Sequence, residues 1–273
     1  MTIKRQPAGT EIARDHALPA DRSAPRVAAL QRGIDVLECF LPSNQPLSHT
    51  ELSRMTRLPK ATVTRLVNTL VHAGLLRQDS QTEKYQLGPR LPSLANAYMS
   101  SFDVRTFARP VMERLARETD LSVTLAIPTD LDMLIIEVCR PPTSALITRV
   151  DIGSRVPMSI SAVGRAYLAA VDQRTCESLL HRMEATHGEH WTTIRRHLDE
   201  SLRQSRRMGY CHSMGELYPD VNSIAAALRM ANGDVIALTC GGPSTVLTRS
   251  RIEDKIGPKL LDAIDELVQA MGT

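Results

Sequence analysis

The run Pro59-Lys60-Ala61-Thr62-Val63-Thr64-Arg65-Leu66-Val67-Asn68-Thr69-Leu70 carries the side chains best suited to chemistry in this chain. At ~100° per residue, Val63, Leu66, Val67 and Leu70 fall on one side of a helix. Ala61, Arg65, Asn68 and His72 fall nearly opposite, with Thr64 and Thr69 flanking them and Thr62 on the margin. The outward face therefore offers a guanidinium, a carboxamide and hydroxyls, with no acid and with a small alanine that lets the backbone approach closely. Arginine forks onto guanine, asparagine onto adenine, and hydroxyls onto phosphate or base, so this face suits the major groove of double-stranded DNA. Lys60 opens the helix, where it opposes the macrodipole unless an anion is bound there. Taken alone, the same pattern also describes the solvated side of any amphipathic helix.

Such a face needs a scaffold, and residues 26–91 supply one. Val27, Leu30, Ile34, Leu37 and Leu41 follow helical spacing. Pro42-Ser43-Asn44-Gln45-Pro46 breaks that helix, and Ser48 stands three residues before Glu51 in the capping-box pattern. A short helix follows with Leu52 and Met55 inward. The chain turns over Thr56–Pro59, and the next helix runs to about Ala73, where Gly74 stops it. Leu75–Gln78 and Lys84–Leu87 flank a polar loop and read as a β-hairpin, which brings Arg77 and Lys84 to the flanking DNA backbone. Helix, helix, turn, helix and hairpin form a winged helix-turn-helix. Some winged helices bind only protein, so a protein-only interaction module is a rival reading.

The chain has 273 residues, which at ~150 per domain suggests two domains. Its 33 Lys+Arg and 30 Asp+Glu leave +3 overall, but the first 100 residues hold 13 and 8 of them, so the basic excess lies N-terminal. Apolar residues at 42% exclude a wholly disordered chain, and aromatics at 3% argue against bases stacked on a row of rings. The polar, proline-bearing residues 1–25 read as a disordered arm. No apolar run approaches the ~20 residues of a membrane span, and the start lacks a leader-type apolar stretch. Five scattered cysteines without C-x-x-C spacing read as reduced thiols of a cytoplasmic protein.

Residues 92–119 continue the helical pattern as a linker. Leu94, Ala97 and Tyr98 lie on one stripe, and Val104, Phe107, Ala108, Val111 and Leu115 on another. Residues 120–273 mix strands and helices. Leu121–Ile127 pairs with Met133–Cys139, Ala145–Val150 adds a third strand, and Val221–Arg229 pairs with Val235–Cys240 across Asn232-Gly233. Gly153–Pro157 reads as irregular, Ala162–Ala170, Cys176–Met183 and Trp191–Met208 as helices, and Ile252–Met271 as a closing helix. The fold class expected is α+β.

The C-terminal part offers no catalytic constellation. Ser161 and Ser213 lack G-x-S-x-G context, and no phosphate-cradling glycine loop is present. Cys211 and His212 are adjacent in an extended segment, so their side chains point opposite ways. His181, His187, His190 and His197 read as solvated rather than metal-ligating, since Gly188 interrupts the H-x-x-H at 187/190. No metal and no cofactor are expected. The alternative kept open is an enzyme acting on a small acid with an accessory helical domain. Ser213, Ser223, Thr239, Cys240 and Gly241 end apolar strands with small or polar groups, a composition that can hold a carboxylate or phenol.

The chain resembles the IclR family of bacterial transcription regulators. The resemblance rests on Leu52-Ser53-Arg54-Met55, Leu58–Leu66, Ala73-Gly74-Leu75, Tyr85-Gln86-Leu87-Gly88, Gly164-Arg165-Ala166-Tyr167-Leu168-Ala169, Gly209-Tyr210, Gly215-Glu216, Val221–Ala226 and Gly242-Pro243. It implies a GAF-like α+β effector domain behind the winged helix-turn-helix and linker helix, a small organic acid as effector with aromatic acids among the candidates, and dimers that pair into tetramers. The positions it implies for effector binding are Ala162, Val163, Ser213, Ser223, Thr239, Cys240 and Gly241. Two departures are visible: Asp220 follows Pro219 where glycine is common, and Ala162-Val163 are bulkier than the usual small pair.

Overall fold

The computed structural model describes residues 27–42, 45–142 and 150–271. The expected arm at 1–25 and nearly all of the expected strand Ala145–Val150 lie outside the described residues. The chain divides into two compact units, Met1–Ala97 and Tyr98–Thr273.

The first unit packs α1 (Ala28–Glu38), α2 (His49–Thr56) and α3 (Lys60–His72) on a two-stranded sheet, β1 (Leu76–Gln78) and β2 (Tyr85–Leu87). Its core is Val36, Phe40, Leu52, Val63, Val67 and Leu76. Two apolar stripes compete on α1. The one holding Gly33, Val36 and, beyond the helix end, Phe40 faces inward, because an aromatic ring removes the larger area from water. Val27, Leu30, Ile34 and Leu41 stay exposed. On α2 the capping box of Ser48 and Glu51 is complete. Leu52 alone goes inward, and Met55, expected beside it, is exposed because the short helix buries one row only. A 6→1 bond from Leu75 N–H to Leu70 O (2.9 Å) closes α3, with Gly74 at φ +72°, a conformation that favours glycine. The hairpin is antiparallel, Leu76↔Leu87 and Gln78↔Tyr85, and Leu47 bridges Tyr85 on its far edge. The Asp79 carboxylate accepts the Gln81 and Thr82 N–H groups and tightens the loop. Helix α4 (Arg90–Met99) follows and leaves Leu94 and Tyr98 exposed.

The second unit is a six-stranded antiparallel sheet in the order β5-β4-β3-β8-β7-β6. Its strands are β3 (Ser122–Thr129), β4 (Asp132–Cys139), β5 (Arg155–Pro157), β6 (Cys211–Tyr218), β7 (Val221–Arg229) and β8 (Val235–Pro243). Strand β5 replaces the irregular segment expected there, since Met133 pairs with Val156. Helices α5 (Val104–Thr119) and α10 (Gly257–Met271) cover one face; α6 (Ala162–Ala170), α7 (Gln173–His187) and α8 (Trp191–Met208) serve the other. Period-2 alternation sorts the residues. Val123, Leu125, Ile224, Ala226, Leu238 and Cys240 join the α5/α10 core, while Ala126, Ala225, Ala237 and Cys211 join the α6–α8 core. The expected closing helix is interrupted: a one-turn α9 (Arg249–Arg251) and a π segment, Ile252–Ile256, precede α10.

Candidate functional site

The first unit presents one coherent polar surface. Lys60, Ala61, Thr64, Arg65, Asn68 and His72 are exposed on α3, while Val63, Val67 and Leu70 are buried beneath them. Thr62 is half-buried at the margin. No acidic residue lies on this helix. Arg77 is exposed on β1, and Lys84 sits half-buried where the loop enters β2. Glu51, the nearest acid on α2, is committed to the cap. The Ser48 hydroxyl and backbone N–H hold its carboxyl below the usual range, with smaller contributions from Lys84 and Arg54.

Two of the hydroxyls assigned to nucleic acid are already engaged. Thr64 Oγ1 donates to Lys60 O at 3.0 Å and Thr69 Oγ1 to Arg65 O at 2.9 Å, the back-bonding usual for threonine within a helix. A residue outside the sequence reading reaches the same surface: His49 Nε2 lies 2.9 Å from Thr64 Oγ1. Spacing within α3 carries no signal of it, because the contact crosses from α2.

In the second unit, strand register assembles a polar patch on the α6–α8 face. One row runs Ser122, Gly241, Ser223, Ser213; the next runs Val138, Thr124, Thr239, Ala225, Cys211. Ser213, Ser223, Thr239 and Gly241 are thus brought together. Ser122 and Thr124, which the sequence reading missed, stand opposite them on β3, and their alternation with Val123 and Leu125 is the signal that finds them. Cys240 does not join the patch. Alternation sends its side chain into the opposite core, where burial pushes the thiol up to about 12, so only its backbone borders the site.

Helix α6 packs chiefly across β7 and β8 and brings its N-terminus to this face. Ser161 caps it by accepting the Gly164 N–H, and Ser213 Oγ donates to Ile160 O at 2.9 Å. Ala162 and Val163 are buried in the first turn, whose N–H groups carry the positive end of the helix dipole. Gly164 lets the chain at Met158 approach: a Cβ there would stand 2.1 Å from Met158 Cα. Thr239 Oγ1 is buried without a hydrogen-bond partner among the described residues.

Arg165 anchors the arrangement from behind. It is 1% exposed and donates to Ser159 O, Ser201 Oγ and His212 O, besides pairing with Glu216. A guanidinium so fully used is a structural clamp rather than a free anion receptor. Cys211 points away from His212, into the α6–α8 core, where burial lifts its thiol to about 11. His187 stacks on Trp191 and lies 3.1 Å from Ser159 Oγ. Among the described residues no helix is long and apolar enough to cross a membrane.

Comparison with known proteins matches both units. Residues 29–80 match the IclR helix-turn-helix domain, and residues 96–268 match the C-terminal domain of the bacterial transcriptional regulator IclR. The HTH-type transcriptional regulator TsaQ1/TsaQ2 of Comamonas testosteroni is 30% identical over 90% of this chain and 88% of its own. An IclR family transcriptional regulator from Brucella abortus, solved by crystallography, is 38% identical with a TM-score of 0.80 over 93% of this chain and 96% of its own. An IclR homolog from Microbacterium hydrocarbonoxydans, solved in complex with 4-hydroxybenzoate, shares the fold at 23% identity and a TM-score of 0.72, covering 90% of this chain and 99% of its own. With both of its units matched in the same order, the chain belongs to the IclR family of DNA-binding bacterial transcription regulators.

Proposed function

We propose that this regulator reads its operator with α3 and is controlled by a small organic acid seated on the α6-covered sheet face. The observation that carries the first half is the bare, acid-free surface of Ala61, Thr64, Arg65 and Asn68. Arg65 and Asn68 enter the major groove, Lys60 and the α3 N-terminus meet a phosphate, and Arg77 and Lys84 hold the backbone beside the hairpin. The second half is supported by the unpartnered Thr239 hydroxyl, the serines around it and the positive end of α6, together suited to a carboxylate and a phenol. The Microbacterium neighbour's complex with 4-hydroxybenzoate supports the same ligand class.

The exposed apolar residues Val27, Leu30 and Ile34 on or beside α1, and Leu94 and Tyr98 on α4, suit burial against a second copy, which makes a dimer the working unit. Two recognition helices then set the half-site spacing, and pairs of dimers give tetramers. The protein acts in the cytoplasm and is not an enzyme.

The test is DNA binding by the full chain against the promoter beside its own gene, measured across salt. Log affinity should fall steeply and linearly with log salt. Arg65→Ala should cost about 1–3 kcal/mol of base discrimination while the protein stays folded. Lys60→Ala should weaken all sequences alike and flatten the salt slope. Unchanged operator preference in Arg65→Ala removes α3 from recognition, and turnover of a small acid that is lost on Ser213 substitution revives the enzyme reading.

A further inference from the structure

The contact between His49 and Thr64 decides what Thr64 has left to offer DNA. A threonine hydroxyl has one hydrogen, and at Thr64 that hydrogen goes to Lys60 O at 3.0 Å. With that hydrogen so engaged, His49 Nε2, 2.9 Å from the same oxygen, takes the donor role in the tautomer that carries hydrogen on Nε2. The oxygen thus gives to one neighbour and accepts from another. What remains on this exposed side chain, between Ala61 and Asn68 on the outward face, is the γ-methyl and a single lone pair, with no hydrogen left to donate.

We infer that Thr64, held by His49 from α2, is a specificity-determining residue that reads a thymine C5-methyl through its own methyl group. In this arrangement His49 is a positioning residue. It sits at the first turn of α2, directly after the Ser48 cap, and so ties the side-chain conformation of the recognition helix to the best-anchored point of the preceding helix. The exposed Ala61 methyl, three residues before Thr64, extends the apolar strip. Apolar contact from threonine or alanine is the usual way a protein distinguishes thymine in the major groove. The adjoining Arg65 and Asn68 are left to the hydrogen-bonding edges of neighbouring pairs.

The inference rests on α3 being the reading helix, and the experiment separates the two. A duplex is first selected from a random pool by the full-length protein. Each thymine of the selected duplex is then replaced singly by deoxyuridine, which removes only the C5-methyl. At one position per half-site the wild type should bind about fourfold more weakly, the value of one methyl-sized group returned to water. Thr64→Val, which keeps the methyl and drops the hydroxyl, should retain that thymine-to-uracil ratio. Thr64→Ser, which does the reverse, should abolish it. His49→Ala should shrink the ratio, and His49→Gln, whose amide nitrogen reaches as far as Nε2, should restore it. Loss of global stability alone would lower binding to both duplexes and leave their ratio unchanged. The inference is overturned if no thymine responds, or if Thr64→Ser keeps the ratio and Thr64→Val loses it, which makes the hydroxyl the reader. Failure to enrich any duplex overturns the α3 reading itself, and this inference falls with it.

Discussion

Replacing Thr239 by valine should move stability and ligand affinity in opposite directions. Thr239 is 9% exposed, stands one row from Ser213 and Ser223 on the same face of the sheet, and has a buried Oγ1 with no partner among the described residues. An unsatisfied buried hydroxyl costs ~1–3 kcal/mol, and valine fills the same volume without it. Taking the low end, Thr239→Val should stabilise the ligand-free protein by about 1 kcal/mol and raise Tm by ~2–4 °C. The same hydroxyl is the hydrogen-bond donor or acceptor available to an acid or phenol on this face. With 4-hydroxybenzoate as a probe of the proposed site, its loss should weaken binding about tenfold, the value of one good hydrogen bond to a charged group. The assay is urea unfolding of wild type and variant with and without the ligand. At a concentration that is 100 Kd for the wild type, the ligand should add about 2.7 kcal/mol to the wild type and about 1.4 kcal/mol to the variant. A variant less stable than wild type without ligand would show that the hydroxyl is satisfied by the protein. An unchanged ligand increment would place the acid elsewhere.

Gly164→Ala should be far more damaging than its size suggests, because the new Cβ meets Met158 backbone at 2.1 Å; a loss of at least ~3 kcal/mol is expected, and a Tm within about 3 °C of wild type would refute the close packing. Acidification should destabilise the second unit. Burial first, then Arg249 and Arg165, holds His212 below its ordinary pKa, and burial with His190 does the same for His187. Both bind fewer protons folded than unfolded, so the stability they contribute is present above ~6.5 and is lost as pH falls toward their lowered values. Urea midpoints at pH 7.5 and 5.5 should differ less in a His187→Asn/His212→Gln double variant; an equal difference rejects this origin. If the proposed acid site holds a probe such as 4-hydroxybenzoate, Glu137→Gln should leave probe binding within about threefold while the probe loses its effect on DNA affinity, measured by titrating operator with and without it; an intact effect excludes Glu137 from the coupling.

The winged helix was legible because its signals are local. Ser48 and Glu51 announce a cap three residues apart, Gly74 announces a stop, and the α3 pattern separates Val63, Val67 and Leu70 from Arg65 and Asn68 without knowledge of any neighbour. Helix α1 shows the limit of the same method. Its Val27, Leu30 and Ile34 spacing is as regular as the Gly33, Val36 and Phe40 spacing, and only packing against α3 decides which enters the core. The proposed effector face was half legible. Small and polar residues at strand ends were visible, but which of them share a face depends on register. Once Thr124 stands opposite Thr239, Ser122 joins the patch and Cys240 leaves it. His49 was invisible to periodicity, since its partner lies fifteen residues on and one helix away.

Register also supplies a route from ligand to linker. An effector regulates only if it binds two arrangements of the protein with different affinity, so something it touches must have two positions. Val138 ends the row that contains Thr124 and Thr239, on the side of β4 that bears the proposed acid site. One step back along the strand, Glu137 faces the other way, buried at 2%, and pairs with Arg105 at 3.0 Å and Arg109 at 3.4 Å on α5. Arg109 is more than half exposed and contributes little, whereas Arg105 also donates to Met99 O, the last residue of α4. Separating a buried carboxylate from its partner costs ~3–5 kcal/mol. Allosteric couplings are typically ~1–3 kcal/mol. Because breaking the pair outright would cost more than a typical coupling, a ligand in the proposed site would need to weaken only part of the Glu137–Arg105 pairing to bias the start of α5 and the end of α4 by that amount. The sheet's alternation places Val138 and Glu137, on opposite faces, at adjacent positions, so the proposed acid site and the start of α5 are separated by the thickness of one strand.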